Sequence, residues 1–233
     1  MFKQTYILIS LILFSFITTA QTCVEGDCEN GKGKMIYKNQ DSYKGEWVKG
    51  YPNGTGVFSF NGNEYSGEFS NGNFEGEGTL KWADGSVYKG HFKDNKFNGH
   101  GIFLWSDGNR YEGNFVDDII QGKGDFSYKN GDHYIGEFFD SRPHGNGIYT
   151  YNDKRQYTGS FKKGKKKGYG VLILANGDVY KGEFRKDLQN GKGVLSTSSG
   201  ITKGYWVNGK LNKIFNESPP NKEQQKTDEI IMK

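Results

Sequence analysis

The sequence predicts an all-β fold, an elongated single-layer antiparallel β-meander of repeated β-hairpins. Three observations support this fold class. Tyrosines recur every 22 or 23 residues, glycines recur at three fixed offsets from each tyrosine, and an aromatic residue always follows the tyrosine by four positions. A period in this range is typical of a repeat array, in which each unit buries its apolar face only against its neighbours.

The composition agrees with a thin array rather than with one large globular core. Only 33% of the 233 residues are hydrophobic and the mean hydropathy is −0.79, yet 15% are aromatic. Such an aromatic content argues against disorder and favours stacked rings on a β-sheet. The formal net charge of +4 is small for this length and gives no reason to expect a nucleic-acid partner.

Each repeat is numbered from its tyrosine as position 0. The seven tyrosines are Tyr43, Tyr65, Tyr88, Tyr111, Tyr134, Tyr157 and Tyr180. Glycine occupies positions +2, +11 and +13 in every copy. The aromatic residues at +4 are Trp47, Phe69, Phe92, Phe115, Phe138, Phe161 and Phe184. These columns define seven copies over residues 43–201.

Each copy contains two short stretches with the two-residue alternation of a β-strand, from 0 to +4 and from +13 to +17. Residue pairs that tolerate positive φ separate them, such as Asn71-Gly72 in the first turn and Asp84-Gly85 in the second. Every unit is therefore predicted to be a β-hairpin. The glycine at +2 leaves a gap on the apolar face that a neighbouring ring can cover.

The pattern Tyr-x-Gly-Glu-Phe/Trp, followed by Asn-Gly-Lys-like residues, Gly-x-Gly and Asp-Gly, resembles the MORN (membrane occupation and recognition nexus) repeat. The resemblance covers almost the whole chain after residue 20. It implies a scaffold, an oligomerising or partner-binding module, or a binder of membranes and phosphoinositides. Some such repeats are attached to lipid-kinase or methyltransferase domains, but no such domain is found in this sequence, so we expect no enzyme.

Residues 1–20 are predicted to be a signal peptide. They contain one lysine, an apolar run and a small-residue end at Ala20, after which cleavage is expected. The apolar run is shorter than the roughly 20 residues that span a bilayer, so a retained anchor is the alternative. The chain is therefore expected to be secreted, or to lie in the periplasm or cell envelope, and to be membrane-anchored if the signal is uncleaved.

Cys23 and Cys28 are the only cysteines, and a pair in a secreted context predicts a disulfide. Gly31 and Gly33 continue the +11 and +13 columns, so residues 21–42 are predicted to form a partial N-terminal repeat or cap. The two cysteines should then flank its hairpin turn.

The pattern decays at the other end of the chain. Residues 202–215 form a degenerate terminal repeat in which Thr202 replaces the tyrosine, and residues 216–233 are predicted to be a disordered tail. An open strand edge at 202–210 invites pairing with a second copy, so a homodimer through the C-terminal edge is expected.

Two groups of residues are candidate binding surfaces. The first is a basic cluster that fits anionic lipid headgroups or another polyanion, with a solvated, lysine-rich turn as the alternative. It comprises Lys162, Lys163, Lys165, Lys166, Lys167, Arg185 and Lys186. The second is an aromatic docking stripe, with internal packing against the +4 rings as the alternative. It comprises Trp82, Trp105, Tyr128 and Tyr151.

No pattern indicates catalysis, a cofactor or a metal. Glutamates recur at +3, which is typical of a solvated face, and the four histidines fall in four different columns. The chain lacks the phosphate-loop sequence. Asn53 and Asn216 begin glycosylation sequons. The predicted function is a non-enzymatic scaffold for protein–protein interaction, and the alternative is a peripheral binder of anionic membrane lipids.

Overall fold

The structure, a computed structural model, describes residues 21–215, so the predicted signal peptide and the predicted tail lie outside the described residues. Within residues 21–215 there are eighteen β-strands, and no helix is long and apolar enough to cross a bilayer. The strands are β1 (Thr22–Gly26), β2 (Lys32–Ile36), β3 (Ser42–Val48), β4 (Tyr51–Phe60), β5 (Asn63–Ser70), β6 (Asn73–Lys81), β7 (Val87–Lys93), β8 (Lys96–Leu104), β9 (Arg110–Val116), β10 (Ile119–Ser127), β11 (His133–Phe139), β12 (Arg142–Thr150), β13 (Gln156–Lys162), β14 (Lys165–Ile173), β15 (Val179–Arg185), β16 (Leu188–Thr197), β17 (Gly200–Val207) and β18 (Lys210–Ile214).

Each strand pairs antiparallel with the next strand along the chain. The result is one open sheet that begins at β1 and ends at β18, which confirms the predicted meander of hairpins. Positions 0, +4, +9, +15 and +17 point to one side, here called the inner face. Positions +3, +5, +8 and +10 point to the other side, the outer face.

The second strand of each repeat is longer than the predicted stretch from +13 to +17, because it begins at +8. In β7 and β8, Gly90 pairs with Gly101 while Phe92 pairs with Phe97, so β8 carries two extra residues in a β-bulge. Gly99, at +11, lies in this bulge with φ of +67°. The Gly-x-Gly sequence thus marks a bend inside a strand rather than the start of one.

The two kinds of turn differ. In the first turn both central residues have positive φ, as at Asp94 (49°) and Asn95 (65°), as expected for residue pairs that tolerate positive φ. In the second turn of the first copy, Asn61 (48°) and Gly62 (77°) also both have positive φ, but in later copies such as Asp84-Gly85 only the glycine does. Gly85 adopts φ of +90°, but Asp84 does not have positive φ, and Gly85 N–H donates to the Trp82 carbonyl at 3.0 Å. This turn is a longer loop with one left-handed residue.

A row of glycines crosses the sheet at right angles to the strands, and we call it the glycine spine. Each of strands β1 to β17 contributes one glycine, and every glycine pairs with the glycines of the adjacent strands. The spine runs from Gly26 to Gly204. On β18, Ile214 stands opposite Gly204 and ends the row.

The repeat tyrosines cover this spine. A Cβ built on Gly101 would lie 2.6 Å from Cε2 and Cζ of Tyr88, so the ring occupies the space that a side chain would need. The covering ring therefore belongs to the glycine's own repeat rather than to a neighbour. In all seven copies the tyrosine hydroxyl donates to the carbonyl of position +3 at 2.8–3.3 Å. The glycine and tyrosine columns thus work together: each glycine leaves the space that a tyrosine ring fills.

The core is a continuous chain of rings on the inner face. Each tyrosine meets the +4 ring of its own repeat edge-on at centroid distances of 5.0–5.3 Å. It meets the +4 ring of the next repeat at 4.8–5.3 Å. The tyrosines are 0–1% exposed although the sheet has only one layer. Edge-to-face contacts of this kind stabilise each repeat through its neighbours.

A disulfide takes the place of a tyrosine at the N-terminal end. Cys23 pairs with Met35 as position 0 pairs with +15 elsewhere, and it is bonded to the buried Cys28. The Cys28 Sγ lies 2.8 Å from where a Cβ on Gly33 would be, as a tyrosine ring does over the spine glycines of later repeats. The predicted disulfide is present. The prediction that the cysteines flank the turn is wrong, because Cys28 lies within the turn.

Candidate binding surfaces

The predicted aromatic stripe forms one continuous ladder on the inner face. Trp105 stacks on Phe103 of its own repeat at a centroid distance of 4.3 Å and on Phe126 of the next repeat at 5.4 Å. The same contacts connect all four members of the stripe through the +15 rings. The stripe residues are half-buried. They therefore pack against +15 rings rather than against +4 rings, and part of each remains open to solvent.

Two cationic side chains contact the ring of Tyr151 at the end of the stripe. The Arg155 guanidinium lies 4.4 Å from the centre of the Tyr151 ring. The Lys166 ammonium lies 5.4 Å from the same ring and 2.9 Å from its hydroxyl oxygen. Lys166 also lies over the rings of Tyr157 and Phe184, at 5.4 and 5.8 Å. Two cations thus bracket one ring by cation–π contact.

The structure divides the predicted basic cluster. Lys162 and Lys165 pair across β13 and β14 on the outer face, and Lys167 is exposed on the same side. Lys166 is only 9% exposed and points to the inner face, so it is not part of an exposed cluster. The physical reason is its place at +9, a column whose other members include Phe74, Phe97 and Ile120.

Apolar side chains that the sequence analysis missed lie among these basic residues. Phe139 is 57% exposed and Leu188 is 45% exposed, and they share positions +5 and +8 with the lysines of the cluster. We call the +5 and +8 residues of β11 to β16 the outer row, in which Arg142 is half-buried and the others are exposed: Phe139, Arg142, Lys162, Lys165, Arg185 and Leu188. Once each strand is known to reach +5 and +8, the alternation of strand faces reveals this row.

The glutamates at +3 have a structural role that the predicted solvated face does not include. The Glu137 carboxylate accepts the backbone N–H of Asn146 at 2.9 Å, and Glu68 accepts that of Glu77 at 3.0 Å. These amides belong to the bulge, where the regular ladder leaves them without a partner. The carboxylates therefore hold the bend in the second strand.

The remaining polar groups form no cluster. His133 pairs with Asp125 at 2.6 Å, whereas the other three histidines lie on other repeats. Within residues 21–215 no group of three or more metal-ligating side chains occurs. The Asn53 side chain of the first sequon accepts the Gly54 N–H at 3.1 Å, and Asn216 lies outside the described residues.

Burial shifts the titration of several groups. It raises the pKa of the Tyr157 and Tyr180 phenols to about 12, and it raises the pKa of the other repeat tyrosines further. Burial also raises the pKa of Asp118, although its carboxylate accepts the Phe97 N–H at 2.7 Å. These groups support packing and turns, and none of them faces an enclosed site.

The MORN repeat model matches eight segments, at residues 29–42, 43–63, 65–87, 88–110, 111–133, 134–154, 157–179 and 180–202. No protein of curated function is similar enough in sequence to match. Among solved structures, the wild-type TCP10 domain of Danio rerio CPAP is 10% identical, with a TM-score of 0.45 over 81% of this chain and 89% of that one. The G-box domain of the microcephaly protein CPAP is 11% identical, with a TM-score of 0.42 over 81% and 100%. Both TM-scores are too low to indicate function.

Proposed function

The chain belongs to the MORN repeat family, and from this premise we propose that it is a non-enzymatic scaffold that binds a protein partner along the aromatic stripe. One observation carries the proposal. The stripe is a contiguous, half-buried ladder of four large rings, whereas the rings at 0 and +4 are buried. Contiguous exposed apolar surface of this kind is typical of interaction sites. Trp and Tyr are also enriched among the residues that dominate binding energy.

Comparative affinity capture tests this function. The wild-type chain and a Trp105→Ala, Tyr128→Ala variant are used as bait, and retained proteins are identified by mass spectrometry. Tyr169→Ala is the matched control, because Tyr169 is a 64% exposed ring on a different surface. We expect a partner that wild type and control retain and the stripe variant loses. A partner retained equally by all three would place the interaction elsewhere and refute the use of the stripe.

We further propose that the protein acts outside the cytoplasm, in the secreted fraction or the cell envelope. The Cys23–Cys28 disulfide supports this, since disulfides persist in oxidising compartments. Sequencing the N-terminus of the protein purified from its host tests the location. Cleavage after Ala20 predicts a chain that starts at Gln21. An intact leader would instead favour the membrane-anchored alternative.

The outer row favours a second candidate, peripheral binding to anionic membrane lipids. Exposed Phe139 and Leu188 lie at the two ends of this row, with the basic residues Arg142, Lys162, Lys165 and Arg185 between them, and apolar and basic groups together suit a headgroup interface. Vesicle sedimentation with and without phosphatidylserine tests it. We expect binding only to anionic vesicles and a weaker affinity for Phe139→Ser. Equal binding to neutral vesicles would refute this candidate.

The exposed edge at β18 supports the proposal of a homodimer through the C-terminal strand. All five residues of β18 are exposed, and its outer backbone groups have no neighbouring strand among the described residues. Light scattering on a size-exclusion column tests this. A dimer that becomes a monomer on Asn212→Pro supports the edge, and a wild-type monomer at high concentration contradicts it.

A further inference from the structure

The exposed parts of the stripe are ring edges rather than ring faces. Trp105 has Phe103 on one side and Phe126 on the other, with interplanar angles of 28° and 30°. Both faces of its indole are therefore covered, and its edge points to solvent. The stripe is accordingly a row of ridges, one per repeat, and the +15 rings Phe103, Phe126 and Tyr149 fill the space between them. Such ridges offer ring edges to a ligand, whereas a flat sugar ring would need an open face.

The spacing of the ridges selects the conformation of a bound chain. Neighbouring repeats are two strands apart, which is roughly 9.6 Å. Three residues of polyproline II helix advance about 9.3 Å and return to the same side of the helix. A β-strand also advances about 9.9 Å in three residues, but its side chains alternate, so every second contact would point away. An α-helix needs about 6.4 residues for this distance, which is not a whole number of turns.

The ridges also carry unused hydrogen-bond donors. Neither the indole N–H of Trp82 nor that of Trp105 has a hydrogen-bond partner within residues 21–215. By contrast, the buried Trp47 donates its indole N–H to the Gly33 carbonyl at 3.1 Å. A polyproline II chain has no internal hydrogen bonds, so its carbonyls are free to accept from these donors.

The charges at the Tyr151 end of the stripe determine where an acidic residue of the ligand would bind. Arg155 covers the Tyr151 ring, and Lys166 places a second positive charge beneath it. Asp153 pairs with Arg155 at 2.8 Å, but no carboxylate of the described residues forms an ion pair with Lys166. An acidic residue of a partner at this end would therefore meet the Lys166 ammonium, which has no ion pair within residues 21–215, beside the Arg155–Asp153 pair.

We propose that the stripe binds an extended partner segment in the polyproline II conformation. The segment lies along the array axis, with a proline against the exposed edge of each ridge at every third residue and an acidic residue at the Tyr151 end. The inference rests on the proposed function and specifies the class of partner. It uses four consecutive repeats, so the ligand spans about nine to twelve residues at three residues per ridge.

Selection from a random 16-residue peptide display library against the full chain tests this assignment. We expect enriched peptides with prolines at i and i+3 and an acidic residue near one end. Enrichment of peptides without that period, or no enrichment above the Trp105→Ala, Tyr128→Ala variant, would overturn the proposal. If enriched peptides lack the proline period but still lose binding in the stripe variant, the docking function stands and only the polyproline II assignment fails.

Affinity measurements on the best peptide test the individual contacts. Trp105→Phe keeps a ring but removes the indole N–H, and we expect a dissociation constant about fivefold higher. Arg155→Gln should weaken an acidic peptide but not its amide analogue, and Tyr169→Ala should leave both unchanged. An unchanged affinity in Trp105→Phe, or equal effects of Arg155→Gln on both peptides, would contradict the proposed binding mode.

Discussion

The contact between a repeat tyrosine and the glycine spine predicts a measurable strain when a single methyl group is added. In Gly101→Ala the new Cβ would lie 2.6 Å from two ring atoms of Tyr88, and all three nearest atoms belong to that side chain. Tyr88 is fully buried and stacks on Phe97 at 3.7 Å, so it has no free space to move into. Overpacking of this kind costs about 1–3 kcal/mol. For a chain of this size that lowers the melting temperature by roughly 2–12 °C.

A double-mutant cycle with Tyr88→Leu isolates this contact. The leucine side chain is shorter than the ring, so Gly101→Ala should cost less in its presence, with a coupling energy of about 1–3 kcal/mol. Free energies of unfolding of the four proteins are measured by urea denaturation. If the two single changes are additive, or if Gly101→Ala alone leaves stability unchanged, the ring does not occupy the space over the spine and this explanation of the glycine columns is wrong.

Three other expectations follow from named contacts. Glu137→Ala should lower the free energy of unfolding by about 1 kcal/mol, because the Asn146 N–H loses its acceptor. The control Glu64→Ala breaks an exposed ion pair and should change the free energy of unfolding by less than about 0.5 kcal/mol. Equal effects in denaturation would contradict the bulge role. Replacing Cys23 and Cys28 by serine should cost about 2 kcal/mol by loop entropy, and unchanged melting would contradict it. The raised pKa values of the repeat tyrosines predict stability that is constant up to pH 10 and lost as the pH rises through 12, measured by phenolate absorbance and denaturation. Ionisation of the seven repeat tyrosines near pH 10 without unfolding would contradict their burial.

The fold could be predicted from the sequence because the strictest columns contain the residues whose contacts define the sheet. Tyrosine at 0, glycine at +2 and +13, and a ring at +4 form one packed device, and each column is nearly invariant across seven copies. The start of the second strand was not predictable in the same way. Glycine at +11 resembles a turn residue in the sequence, yet it adopts positive φ at a bulge inside a strand.

The candidate surfaces were predictable only where the columns are regular. The stripe follows one column of large rings, so its members could be listed from the sequence. Column +9 contains proline, phenylalanine, isoleucine, lysine and glutamine, and no pattern shows that it faces inward. Lys166 was therefore placed with its charged neighbours although it is buried. Phe139 and Leu188 were missed because single apolar residues at the ends of strands carry no period.

Binding of a partner along the aromatic stripe can be measured by calorimetric titration of the captured partner into three forms of the full chain: wild type, Trp105→Ala and Tyr169→Ala. We expect a dissociation constant at least tenfold higher for Trp105→Ala, in line with the cost of truncating an aromatic hot spot, and an unchanged value for Tyr169→Ala. Equal dissociation constants for all three folded proteins would contradict binding along the stripe.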